Sequence, residues 1–130
     1  MIFATALALA AQAAPAPAPD ATAAASAQDE IVVIGQRLKE WRGTWRLVGD
    51  KVACKTLKST GDTAIDAIGC QAMLVCIGPE VPAIESLAAQ AKDKVVFKQQ
   101  LDAKLQTLVP CLDKARTAGI AGLAKERGRK

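Results

Sequence analysis

Thr44-Trp45-Arg46-Leu47-Val48-Gly49-Asp50-Lys51-Val52-Ala53-Cys54-Lys55-Thr56 is the stretch on which the fold turns. Two short runs of alternating apolar and polar residues flank Gly49-Asp50, the pattern of two strands joined by a two-residue turn. The first turn residue needs positive φ, which glycine adopts without a Cβ clash. Centring the turn there sets Leu47 opposite Val52 and Trp45 opposite Cys54 on one face. Arg46 and Lys55 fall on the other. Upstream, Ile31-Val32-Val33-Ile34 is a β-branched run closed by Gly35, which predicts a third strand or an exposed extended segment.

Downstream the apolar period lengthens from two to that of a helix. Ser59-Thr60-Gly61-Asp62-Thr63 is a turn cluster suited to capping, and Ile65, Ile68, Ala72 and Cys76 follow at helical spacing until Gly78-Pro79 stops them. Pro82 opens a second helix with Ile84, Leu87, Ala88 and Ala91 on one face, since proline fits a first turn. A third runs from about Asp93 with Phe97, Leu101, Leu105 and Leu108 inward, and Pro110 kinks or restarts it. Cys111, Leu112, Ala115, Gly119 and Leu123 then continue the stripe. The expected fold is a small α+β domain: an antiparallel two- or three-stranded sheet followed by three or four helices, stapled by disulfides.

The chain has four cysteines and no histidine. No C-x-x-C pair occurs among Cys54, Cys70, Cys76 and Cys111, so neither a zinc site nor a thioredoxin-like motif is expected. Cys70 and Cys76 are six residues apart on one helix, and their side chains point in well-separated directions. Cys76 shares the inward stripe of its helix and Cys111 that of the last, whereas Cys70 lies nearer the hairpin. That placement favours Cys54–Cys70 and Cys76–Cys111 over the two other connectivities.

Disulfides call for an oxidising compartment, and the N-terminus supplies a route to one. Residues 1–13 carry an apolar core too short to span a bilayer, which takes about 20 residues, but suited to a signal peptide. Ala11-Gln12-Ala13 offers small residues for cleavage, although no Lys or Arg precedes the core. Residues 14–28, rich in Ala and Pro, read as a disordered tether. Residues 29–124 are then the single domain, and 125–130 a basic tail. After signal removal nothing is expected to span a membrane, and the expected location is periplasmic or secreted.

Catalytic chemistry is not advertised. Without His or Tyr the commonest general base and the Ser-His and Cys-His arrangements are excluded. No phosphate-cradling glycine loop occurs, and Gly119 and Gly122 fit close helix packing. Asp62 and Asp66 share a helix face and form the one carboxylate pair that invites an acid–base reading, but acidic residues are favoured at a helix N-terminus in any case. No cofactor is expected. The net charge of +4 directs attention to the surface instead. Arg37, Lys39, Arg42, Arg46, Lys55 and Lys58 lie near Trp41 and Trp45, a basic patch beside aromatic rings suited to an envelope protein or an anionic envelope polymer, and nucleic acid is not an expected partner of an exported chain. The competing reading is a solvated strand face with one Trp in the core.

Glu30-Ile31-Val32-Val33-Ile34-Gly35-Gln36-Arg37, following an Ala-rich leader, resembles the TonB box near the mature N-terminus of TonB-dependent outer-membrane receptors. The resemblance covers eight residues, departs at Ile34 where Thr is usual, and comes with neither plug nor barrel. It implies a docking peptide, Ile31, Val32, Val33, Ile34 and Gly35, that adds a strand to TonB by β-augmentation. The expected function is a non-enzymatic binding or interaction module of the cell envelope. An accessory to TonB-linked transport is the alternative, and an enzyme using Asp, Glu or Lys chemistry is third.

Export predicts that N-terminal sequencing of protein from the periplasmic fraction finds a chain beginning near Ala14. Full-length protein confined to the cytosol contradicts it.

Overall fold

The structure, a computed structural model, describes the backbone of residues 19–129 and the side chains of 27–129. The expected signal and the first part of the expected tether, residues 14–18, lie outside the described residues. The element order is α1 (Pro19–Leu38), β1 (Arg42–Val48), β2 (Lys51–Lys58), α2 (Thr63–Ile77), a 3-10 turn (Gly78–Glu80), α3 (Val81–Gln90), α4 (Lys94–Thr107) and α5 (Val109–Arg127). This is the expected α+β fold, a two-stranded antiparallel sheet followed by four helices, with one further helix ahead of the sheet.

The hairpin has the expected register: Leu47 pairs with Val52 and Trp45 with Cys54, and Gly49 takes φ +64° at the turn. One residue slips between Arg42 and Gly43, so that Arg42 faces Lys58 and Gly43 faces Thr56. Asp62 caps α2 by accepting from the N–H groups of Ala64 and Ile65, Pro82 lies in the first turn of α3, and Asp93 caps α4 through the N–H of Val96. Pro110 sits in the first turn of α5, where its missing N–H costs nothing.

Four expectations are corrected here. Ile31-Val32-Val33-Ile34 is neither a third strand nor an extended segment but the last turns of α1. The helix begins at Pro19, so the tether read over 14–28 gives way to helix from that residue on. Ala21, Ala23, Ala24, Ala25 and Ala27 are the strongest helix formers, and Ile34 and Leu38, four apart, meet the core on one face. That pairing overrides the strand preference of the β-branched run and leaves Val32 and Val33 on the solvent side. The basic tail read over 125–130 is helical through Arg127, because no breaker precedes Gly128. Finally, Cys111 lies on the exposed side of α5 rather than in its inward stripe.

The core has two lobes that meet at Met73. Ile34, Leu38, Trp41, Ile65, Ile68 and Ala124 form one, joining α1, α2 and α5; Ile77, Ile84 and Leu108 form the other, with Trp45, Leu47 and Val52 of the hairpin and Phe97 and Leu101 of α4 against it. By length and composition Thr63–Gln90 is apolar enough to cross a membrane, yet its inward residues Ile65, Ile68, Ile77 and Ile84 are buried in these lobes. Both expected disulfides form, Cys54–Cys70 with Cα atoms 5.6 Å apart and Cys76–Cys111 with 5.9 Å. In the chain-entropy model loops of these lengths stabilise by about 3 to 4 kcal/mol each.

Trp41 is the point where sheet and helices lock. Its indole lies between two glycines: a Cβ added at Gly43 of β1 would meet the ring at 2.1 Å, and one added at Gly69 of α2 at 2.5 Å. The ring nitrogen donates to Thr56 Oγ1 of β2 at 3.0 Å, so the buried polar end is satisfied. Gly119 makes a similar allowance between α5 and Ile68, at 2.8 Å, whereas Gly122 faces open space.

Two glycine substitutions of opposite sign follow from this packing. Gly69→Ala destabilises by about 1–3 kcal/mol through overpacking against Trp41. Gly122→Ala, where nothing resists a methyl group, stabilises by about 0.5–1 kcal/mol through helix propensity. Denaturant unfolding of both variants checks the contrast, and the same sign for both contradicts the slot.

Candidate functional site

The six residues expected to form a basic, Trp-bearing surface are divided by the fold. Trp41 is 5 % exposed and belongs to the core, because its two flanking glycines leave room for the ring inside. Arg37, in the last turn of α1, points toward Asp62, with an N···O separation of 3.9 Å. Arg42 donates from Nη1 to the carbonyls of Lys39 at 2.9 Å and Trp41 at 3.0 Å, closing the C-terminal end of α1. Lys58 faces Arg42 at the far end of the hairpin. Arg46 and Lys55 remain together on the outer sheet face.

Strand alternation is what brings Arg46 and Lys55 together. Trp45, Leu47, Val52 and Cys54 turn to the core, so Thr44, Arg46, Ala53 and Lys55 turn out, with Thr44 opposite Lys55 and Arg46 opposite Ala53. A cavity of about 400 Å³ is bordered here by Thr44, Trp45, Arg46, Ala53, Cys54 and Lys55. Trp45 is half-buried with its ring packed on the Ile77, Ile84 and Leu108 lobe, on the face opposite Arg46 and Lys55, so neither tryptophan ring stands beside the cations as expected. Small Ala53 opens the gap across from Arg46. Among the described residues no carboxylate lies within ion-pair distance of Arg46, Lys55 or Lys58. Asp50, in the turn, is the one acidic residue between Arg42 and Lys58.

The expected docking residues Ile31, Val32, Val33, Ile34 and Gly35 form no free strand edge. Their backbone is helical, Ile34 is fully buried, and Gly35 approaches Ile120 of α5. All four cysteines are in disulfides, so no thiolate is free for metal or redox work. Among the described residues no cluster of three metal-ligating side chains comes together.

Asp62 and Asp66 serve as connectors. Asp62 receives the guanidinium of Arg127 from the end of α5, lies near Arg37 at the end of α1, and caps α2, so three helix ends converge on one carboxylate. The Arg127 hydrogen bond, with the N–H groups of Ile65 and Ala64, holds Asp62 below the usual carboxylate range against the opposing effect of burial. Asp66 accepts from the Ser59 hydroxyl and from the Thr60 N–H at 2.8 Å, and it too is lowered, by Ser59 first and Thr60 second. Both carboxylates are thereby kept ionised and occupied, which is the opposite of what a general acid requires. Neither the Arg127 nor the Arg37 approach was visible in spacing, since Arg127 and Asp62 lie 65 residues apart.

No family model, curated protein or solved structure matches this chain.

Depressed carboxylates contribute stability that is complete above their unfolded value of 3.8 and is lost as pH falls through the lower folded values. Asp62→Asn keeps a capping acceptor but not the charge that holds Arg127. It is therefore less stable than the parent near neutral pH, and the difference closes as pH falls through the lowered folded value of Asp62. Urea midpoints across that range measure this; a gap that does not change with pH contradicts the ion-pair account.

Proposed function

We propose that this is a small exported, non-enzymatic module of the cell envelope that holds an anionic polymer on the outer face of its hairpin. The observation that carries this reading is the outer-face groove flanked by Arg46 and Lys55, cations with no carboxylate partner among the described residues. Unpaired cations on a rigid face raise the local concentration of polyanions. Lys58 and Arg42 extend the strip along the sheet.

Placement in an oxidising compartment is supported by the two disulfides, which fasten both lobes of the core and persist only where thiols are not kept reduced. A non-enzymatic role is supported by the lack of His and Tyr and by the engagement of Asp62 and Asp66. The alternative, an accessory to TonB-linked transport, requires the end of α1 to unwind and Ile34 to leave the core before a strand can be offered.

Dextran sulfate serves as the test polymer, with uncharged dextran as its control. The triple variant Arg46→Gln, Lys55→Gln, Lys58→Gln weakens binding by about tenfold, given roughly 0.5 kcal/mol for each exposed charge contact. Added salt abolishes the interaction, because screening shortens to about 3 Å at 1 M. Thermal stability is unchanged in the variant. Equal binding by parent and variant, or equal retention on uncharged dextran, contradicts the reading.

A further inference from the structure

A second cavity, of about 470 Å³, lies on the other side of Trp41, between the end of α1 and the middle of α5. Its size falls within the range of about 300–1,000 Å³ typical of small-molecule sites. Leu38, Trp41 and Ile120 make its apolar wall; Lys39, Arg42 and Arg116 bring three cations to it, against the single carboxylate of Asp113. Arg42 is fixed at the margin by its bonds to the Lys39 and Trp41 carbonyls.

Arg116 is the informative member. It is half-buried, and its Nε is covered from solvent yet has no hydrogen-bond partner among the described residues. A charged donor withdrawn from water without an acceptor is costly, so this one is short of a partner that the fold does not supply. Nε is closed to the open cavity as well as to solvent, so the grip on a carboxylate falls to the two Nη groups of the cavity-lining guanidinium, whose N–H donors run parallel. The chemistry on offer is therefore an anion-gripping edge beside an apolar wall.

We propose that this cavity binds a small amphiphilic carboxylate, its charged end on Arg116 and Lys39 and its apolar body against Leu38, Trp41 and Ile120. The site shares only Arg42 with the hairpin strip and does not depend on polymer binding there. Asp113 opposes the ligand's charge and limits its affinity.

Naphthoate is the probe, titrated into the oxidised full chain and followed by backbone amide NMR, with neutral naphthalenemethanol and inorganic phosphate as comparisons. Saturable shifts confined to the segments 35–42 and 113–120 are expected, with little response to either comparison compound. Arg116→Met, which keeps the aliphatic stem, weakens naphthoate by about tenfold, the loss of one charge-assisted grip. Asp113→Asn, on an exposed position that leaves packing intact, strengthens it severalfold and decides the matter alone if Arg116→Met does not fold. Naphthalenemethanol binding as well as naphthoate, shifts centred on Arg46 and Lys55, or unchanged affinity in Asp113→Asn overturns the site, whatever the polymer experiment shows.

Discussion

The indole of Trp41, held between Gly43 and Gly69, is the contact on which the remaining architecture depends. A two-stranded hairpin is marginal by itself in water, so this one needs an anchor to present a fixed face. The ring provides it by filling the gap between β1 and α2 while its Nε1–H reaches across to Thr56 on β2. The Cys54–Cys70 bridge fastens the same strand to the same helix covalently. With the inner face held twice, the outer face has no freedom to fold its cations back onto the protein. Of the two proposed ligand surfaces, the cavity between α1 and α5 borders this anchor directly, and the other lies on the outer face of the sheet that it holds.

A second node, at Asp62, does for the helix ends what Trp41 does for the sheet. Helix α2 begins there, and α1 and α5 finish beside it, each bringing an arginine. Cations at helix C-termini and an anion at a helix N-terminus are each favoured by the backbone dipole, so all three ends gain from the same cluster. The arrangement closes one end of the three-helix lobe by electrostatics, and close packing of Gly119 on Ile68 closes its middle.

Features set by local chemistry were legible in the sequence. Gly49 located the turn and with it the strand register, Pro82 and Asp93 located helix starts, and the six-residue spacing of Cys70 and Cys76 on one helix argued against a bridge between them, while the nearness of Cys70 to the hairpin pointed to Cys54. Features set by distant partners were not. Ile31 to Ile34 reads as strand from its β-branched residues, and only the core contacts of Ile34 and Leu38 reveal which period governs it. Trp41 was placed with the surface cations because nothing in its neighbourhood says that Gly69, 28 positions on, makes room for the ring. Of the candidate surface, Arg46 and Lys55 were recoverable from alternation, while Arg116 lay in an ordinary helical pattern and carries no local sign of its uncapped Nε.

Hydrogen exchange of the two indole N–H groups tests the anchoring role of Trp41 most directly, since Trp45 serves as an internal reference in the same hairpin. The Trp41 Nε1–H, buried and bonded to Thr56, is expected to exchange only through global unfolding, with the protection of the slowest core amides. The half-buried Trp45 ring, with no such bond among the described residues, exchanges faster. Comparable rapid exchange of both indoles would show that the hairpin opens from the helices without unfolding, and would contradict the account of a sheet locked at Trp41.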